Sequence, residues 1–268
     1  MSNLTYLGRV TIKASLVVKT GLHIGAGKDA IEIGGIDNPV VKHPHTQRPY
    51  VPGSSLKGKV RFLLEWAFNK VRADGKAFGF SDEDAKSLAG GGDVILRLFG
   101  AAASREVWDK GPSRLIVRDA PLNDEWAISI LDQGQAWTEE KAEVSIDRIA
   151  GRALDGGLRH TERVPAGARF DAEFGFRLWA TDDKGERDRE CLAWFIQGLD
   201  LIEQDALGGS GTRGYGQVRF EDLQLIGMDG QAHNLDNIFR GERFGSTTPP
   251  KAILDIVRAA TQPQEQAA

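Results

Sequence analysis

Cysteine is almost absent: Cys191 is the single one in 268 residues. One cysteine excludes an internal disulfide and any cysteine-built metal site, and it suits a reducing compartment. Long hydrophobic runs are missing too, so no segment reads as a membrane span. Residues 1–6 lead directly into a strand-like pattern without an apolar signal core, which points to the cytoplasm. Nor is there an excess of positive charge, since 34 Lys and Arg face 38 Asp and Glu for a net charge of −4. On its face that balance disfavours a nucleic-acid partner. An ordinary 41% of hydrophobic residues argues against wholesale disorder, and the length fits one large domain with insertions or two small ones.

The average hides a local asymmetry. Between residues 40 and 72, Lys42, Arg48, Lys57, Lys59, Arg61, Lys70 and Arg72 are opposed only by Glu65, while acidic stretches lie at 81–84 and 181–186. Phosphate binding depends on where cations sit rather than on their sum, although a solvated basic helix face has the same composition.

Residues 7–19 predict a strand, with Val10, Ile12, Ala14, Leu16 and Val18 on one face. Residues 40–51 predict a short hairpin turning near 44–49. Ser54 or Ser55 is placed to cap a helix whose apolar stripe is Leu56, Val60, Leu63, Leu64, Ala67, Phe68 and Val71. Residues 75–110 predict loops and short helices, 114–119 a second core strand, and 121–167 a less regular insertion with an exposed tip at 151–158. Residues 169–179 alternate strongly through Phe170, Ala172, Phe174, Phe176 and Leu178. A second helix spans about 188–204, a Gly-rich loop covers 207–216, and a last strand runs near 217–226. The end, 261–268, predicts a frayed tail. Without the insertions the order is strand, helix, strand, strand, helix, strand. That is the α+β, ferredoxin-like (RRM-like) pattern, which hosts RNA binders and unrelated proteins alike.

Two motifs mislead. Residues 53–59 satisfy most of a phosphate-loop pattern, but Val60 stands where a magnesium-binding Ser or Thr belongs. No nucleotide cofactor is expected. Residues 209–214 match a dinucleotide fingerprint, yet a helix precedes them and a strand follows, the reverse of what that site requires. Both stretches nonetheless let backbone N–H groups approach a phosphate, each beside basic side chains. His43 and His45 lack further ligands at metal spacing, so no zinc is expected.

Four stretches in order carry a specific likeness: residues 21–25 (GLHIG), 33–40 (IGGIDNPV), 51–61 (VPGSSLKGKVR) and 207–216 (LGGSGTRGYG). Residues 97–100, 115–120 and 146–148 add to it. Together they resemble the RAMP superfamily of CRISPR-associated proteins, and most of all the backbone subunit of type III-A effector complexes. The resemblance implies a single RAMP domain over 1–260. It comprises a palm (7–72, 112–120, 167–228), an insertion at 73–111 and a β-hairpin thumb within 121–166. It also implies partners: CRISPR RNA, target RNA, head-to-tail copies of the chain and other type III subunits. The thumb would break every sixth base pair, and target RNA would be cut once per subunit at six-nucleotide spacing.

Asp37 falls on the family's catalytic aspartate. RNA cuts itself when its 2′-OH attacks the adjacent phosphate in line, and a loop carboxylate can serve as base or hold a divalent cation (Mg2+ or Mn2+). An Asx turn before Pro39 is the plain structural role for this aspartate, and such a turn would also aim the carboxylate. His23 matches a family histidine that contacts RNA, or is a hydrogen-bonded histidine at a strand end. Ser54, Ser55, Lys57, Lys59 and Arg61 would grip guide phosphates, with Gly209, Gly211 and Arg213 as a second wall and Arg148 beside the thumb. Asp119 reads as structural. Two other functions compete: a repeat-processing ribonuclease with His23 as base, and a non-catalytic guide scaffold.

Overall fold

The computed structural model describes residues 4–27, 36–103, 106–181, 183–240 and 248–262. Among these, the first half contains β1 (Thr5–Val18), β2 (Tyr50–Val51), α1 (Gly53–Ala67), α2 (Asp82–Lys86), α3 (Gly92–Phe99), β3 (Leu115–Val117), β4 (Ala120–Pro121) and α4 (Asp124–Asp132). The second half contains β5 (Glu139–Ile146), β6 (Ala153–Arg163), β7 (Arg169–Ala180), α5 (Glu186–Gln204), β8 (Val218–Ile226), β9 (Ala232–Asn234) and α6 (Lys251–Ala260). No helix among the described residues is long and apolar enough to cross a membrane.

The main sheet has the order β3-β7-β1-β8-β9, and every neighbouring pair is antiparallel. Numbered by core strands alone (β1, β3, β7, β8), that order is 2-3-1-4, the layout the split βαβ pattern predicts. Strand alternation explains the layering. Val10, Ile12, Leu16 and Val18 of β1 and Phe170, Phe174, Phe176 and Leu178 of β7 are buried under the helices. Phe174 meets Phe195 of α5 at 5.2 Å and Phe220 of β8 at 6.4 Å between ring centroids. Gly198 lets α1 and α5 close up, because a Cβ there would lie 3.0 Å from Val60.

Helix α1 starts differently from the expectation. It begins at Gly53, Pro52 occupies the N-cap position, and neither Ser54 nor Ser55 caps it. Its first N–H is instead taken by the Asp119 carboxylate at 2.7 Å, which supplies the structural role foreseen for that residue. Gly53 is needed at this contact, since a Cβ would stand 2.6 Å from the Val117 carbonyl. The helix also ends sooner than its stripe suggests: Phe68 is the C-cap and packs on Trp194 at 5.1 Å, while Val71 lies exposed beyond it.

Residues 121–167 are more regular than their composition suggests, forming α4 and the β5–β6 hairpin. The hairpin turn lies at 147–152, and residues 153–158, expected at the tip, belong to β6. Both arms are largely solvated, so they lack the buried alternation that reveals a strand in sequence. At the other end, β9 and α6 follow the strand expected to be last. Thr261, expected in a frayed tail, is buried and its hydroxyl accepts from Arg189 at 2.7 Å. The rest of that tail, 263–268, lies outside the described residues.

One buried carboxylate joins four elements. Asp188 accepts from Arg97 of α3 (2.9 Å), from Arg114 before β3 (2.8 Å) and from the Trp179 N–H of β7 (2.9 Å). Asp188 and Arg114 are fully buried and Arg97 nearly so. Removing the anion would leave buried Arg114 without a charged partner and Arg97 with Asp93 alone. Asp188→Ala should therefore cost about 3–5 kcal/mol, read from the urea midpoint; a cost under about 1 kcal/mol would contradict this role.

Candidate nucleic-acid interface

After β1 the chain turns back along the base of the hairpin, where Leu22 exchanges backbone bonds with Val164 (2.9 and 2.8 Å). This fixes His23, whose Nδ1 lies 2.7 Å from the Glu162 carbonyl. A carbonyl only accepts, so Nδ1 carries the proton and Nε2 is the acceptor of the neutral ring. On the other side the His23 carbonyl accepts from the Gly209 N–H at 2.8 Å. Gly208 has φ +77°, and a Cβ there would sit 2.3 Å from the His23 oxygen. Glycine is required for the loop to lie this close.

The segment around Asp37 adds itself to β6 as a short parallel extension. Asn38 donates to the His160 carbonyl (3.3 Å) and accepts from the Glu162 N–H (3.0 Å). The Asp37 carboxylate is exposed and accepts from the His160 N–H at 2.9 Å. The Asx turn considered from sequence does not form, because Pro39 has no N–H and that of Val40 goes to Glu162. The carboxylate is aimed across to the hairpin instead.

Glu162 holds this arrangement together. It is buried, and its carboxylate accepts from Val40 N–H (2.9 Å), the Lys42 ammonium (2.5 Å) and the Thr138 hydroxyl (2.7 Å). Burial opposes its ionisation, but the three donors, Lys42 foremost, outweigh it and hold the carboxyl below its ordinary value. Tyr215, from the Gly-rich loop, is likewise buried on the hairpin. Its hydroxyl donates to Glu143 (3.0 Å), and its ring lies 4.5 Å from the Lys141 ammonium and 5.2 Å from the Arg163 guanidinium.

The residues singled out in sequence divide into two groups. His23, Asp37 and Gly209 meet at the hairpin base, and Arg213 and Gly211 stand on the same Gly-rich loop, with Arg213 exposed and donating to Ser210 at 2.7 Å. The α1 group flanks them. Lys59 pairs with Asp205 (2.7 Å), just before that loop, and the loop bonds His23, which bonds Glu162, whose N–H donates to Asn38 beside Asp37. Arg61 is bound to Glu65 (2.8 Å) and to the Phe78 carbonyl and lies near Phe80 and Phe99, so it secures the 73–80 segment. Lys57 is half-buried, and burial together with Arg61 and Arg177 lowers its pKa. Among the described residues it has no ion-pair partner. Ser54 is exposed in the first turn with Ser55 beside it, and Arg148 is exposed at the hairpin turn.

A family model of the RAMP superfamily matches residues 15–219. The chain belongs to the RAMP superfamily. Among its RAMP relatives is a protein of Methanocaldococcus jannaschii named CRISPR system Cms endoribonuclease Csm3, 41% identical over 226 residues and 84% of each chain. A protein of the same name from Streptococcus thermophilus is 37% identical over 83% of this chain and 91% of that one. Among solved structures, the Csm3–Csm4 subcomplex of the type III-A CRISPR-Cas interference complex aligns at 31% identity and a TM-score of 0.48, covering 83% of this chain and 80% of that one.

Sequence reasoning missed Glu162, Tyr215, His160 and Thr138 at this RAMP site. Only Tyr215 had a signal, because it lies inside the Gly-rich motif. The lowered Glu162 pKa gives a signed prediction. A depressed carboxyl contributes stability above its unfolded value of ~4.3, and that contribution is lost as pH falls through the folded value. Unfolding stability of the native chain should fall more between pH 6 and pH 3 than that of Glu162→Gln. Equal pH slopes would contradict the assignment.

Proposed function

We propose that this chain is the repeating backbone subunit of a type III CRISPR ribonucleoprotein, an endoribonuclease that binds CRISPR RNA and cuts complementary target RNA at six-nucleotide intervals. The RAMP match and relatives named as Csm3 endoribonucleases support that reading over a scaffold or a repeat-processing enzyme. The observation that carries the mechanism is the placement of Asp37. Its carboxylate is exposed yet fixed by a backbone N–H at the foot of a protruding hairpin.

The hairpin would be the thumb. Beyond His160 its exposed side chains include Val144, Ile146, Leu154 and Leu158, with Ile149 fully exposed at the turn. Aliphatic side chains of this kind wedge between bases and unstack them. A displaced nucleotide leaves the helical geometry that holds its 2′-OH out of line with the next phosphate. Asp37 then takes the 2′-OH proton as the oxygen attacks phosphorus and the P–O5′ bond breaks, and the departing 5′-oxygen takes a proton from solvent water, leaving a 2′,3′-cyclic phosphate and a 5′-OH. An ordinary aspartate, with reference pKa ~4, is a weak base, so much of the rate comes from that alignment.

Among the described residues no group of three or more His, Cys, Asp or Glu is arranged to hold a metal ion. Where a divalent cation takes part, the exposed Asp37 carboxylate would hold it, and it would neutralise charge at the phosphate. Guide pairing supplies sequence choice, while Lys57, Lys59, His23 and the loop carrying Gly209, Gly211 and Arg213 hold phosphates.

Asp37→Ala in the assembled complex should leave guide and target binding intact and lower cleavage by ~10²-fold or more. Undiminished cutting would reject the assignment. Lys57→Glu should weaken RNA binding regardless of sequence and reduce the salt slope of log K by about 0.7 or more. Weakening confined to particular sequences would contradict a phosphate role.

A further inference from the structure

A base at the 2′-OH answers only half of the cut. The 5′-oxygen has to leave as an alcohol, and it departs slowly unless a proton reaches it. A histidine stands beside Asp37. The His160 N–H donates to the Asp37 carboxylate at 2.9 Å, so the residue that fixes the base also carries an imidazole. Because that bond is made by the main chain, replacing the His160 side chain leaves it in place.

Strand pairing places the ring. Glu140 lies opposite Glu162, Ala142 opposite His160 and Val144 opposite Leu158, so these six side chains share one face of the hairpin. The other face carries Lys141, Glu143 and Arg163 and is taken up by Tyr215. Ala142, Val144 and Leu158 are exposed, and His160 keeps 41% of its side chain exposed. A nucleotide displaced by Val144 and Leu158 therefore meets the face on which the ring stands. The His160 Nδ1 is bonded to the Glu140 carboxylate, which only accepts, so Nδ1 carries a proton. Nε2 has no protein partner among the described residues. Glu162, next inward on the same face, is committed to Val40, Lys42 and Thr138. The site's other histidine is less open. His23 has Nδ1 on the Glu162 carbonyl, and a Cβ at Gly25 or Gly209 would stand 3.4 Å from its Nε2 or 3.5 Å from its Cδ2.

We propose that His160 is the general acid of the cut, giving its Nε2 proton to the departing 5′-oxygen in place of solvent water, with Glu140 as the residue that positions the ring. The proposal rests on the reading of Asp37 as the base. As the 2′-oxygen bonds to phosphorus, its proton passes to Asp37. The P–O5′ bond breaks with its electron pair on oxygen, and that oxygen takes the Nε2 proton of the imidazolium. Neutral His160 then regains a proton from solvent, to which Asp37 releases its own. Histidine suits the task because it exchanges a proton near neutrality.

A target RNA with sulfur in place of the bridging 5′-oxygen tests this in the assembled complex under single-turnover conditions. A thiolate leaves without help, since a thiol has a reference pKa of only ~8.5. His160→Gln should bind guide and target like the native complex and cut the ordinary target ~10²-fold more slowly, yet cut the sulfur target within about threefold of the native rate. Glu140→Gln should show a smaller loss that sulfur also erases. Native-rate cutting of the ordinary target by His160→Gln would overturn the proposal. So would a defect that persists on the sulfur target, or a loss of target binding, which would assign His160 to binding. Asp37→Ala separates this inference from the reading beneath it. Normal cutting by Asp37→Ala would sink that reading, whereas an inactive Asp37→Ala beside a fully active His160→Gln would sink the general acid alone.

Discussion

The buried carboxylate of Glu162 is the constraint on which the candidate site depends. Three otherwise separate pieces of chain, the turn bearing His23, the segment bearing Asp37 and the base of the hairpin, converge where that residue lies. Its main chain holds two of them and its side chain neutralises Lys42 and ends the orphan status of the Val40 N–H. A hydrogen-bonded, paired carboxylate in the interior specifies one arrangement, because every alternative leaves a charge or a donor unsatisfied. The same logic operates at Asp188 on the far side of the core. There it ties α3, β3, β7 and α5 and so fixes the sheet edge over which α1 begins.

The layered part of the fold was largely legible. β1 and β7 alternate because one face meets helices and the other meets water, and α5 shows its core positions at helical spacing. The hairpin was not legible as strands, since neither of its faces is buried enough to impose a period of two. The start of α1 was misread because the acceptor for its first N–H comes from Asp119, 66 residues away, and local cap chemistry cannot reveal it. β9 and α6 went unseen for a simpler reason: the six-element pattern was complete without them.

Site residues divided along the same line. Asp37 and His23 were visible through family motifs, not through their surroundings. Glu162 was invisible, because its partners Val40 and Lys42 lie 122 and 120 residues away and nothing in the charged run around it marks one carboxylate as buried. Arg61 shows the converse. In sequence it is one cation among several, but in the folded chain Glu65 and the Phe78 carbonyl bind it, whereas Lys57 has no carboxylate partner among the described residues. A net charge of −4 says little about where free charge stands on the surface, since interior and surface ion pairs absorb much of the charge of both signs.

The central claim joins one hairpin, one carboxylate and one cut per subunit, so the spacing of the cuts tests it directly. Target RNA paired to the guide in the assembled complex would be cleaved and the new ends mapped at single-nucleotide resolution. Cuts recurring every six nucleotides, each leaving a 2′,3′-cyclic phosphate and a 5′-OH, are the predicted result. A single cut at a repeat junction, or cuts without periodicity, would contradict the account.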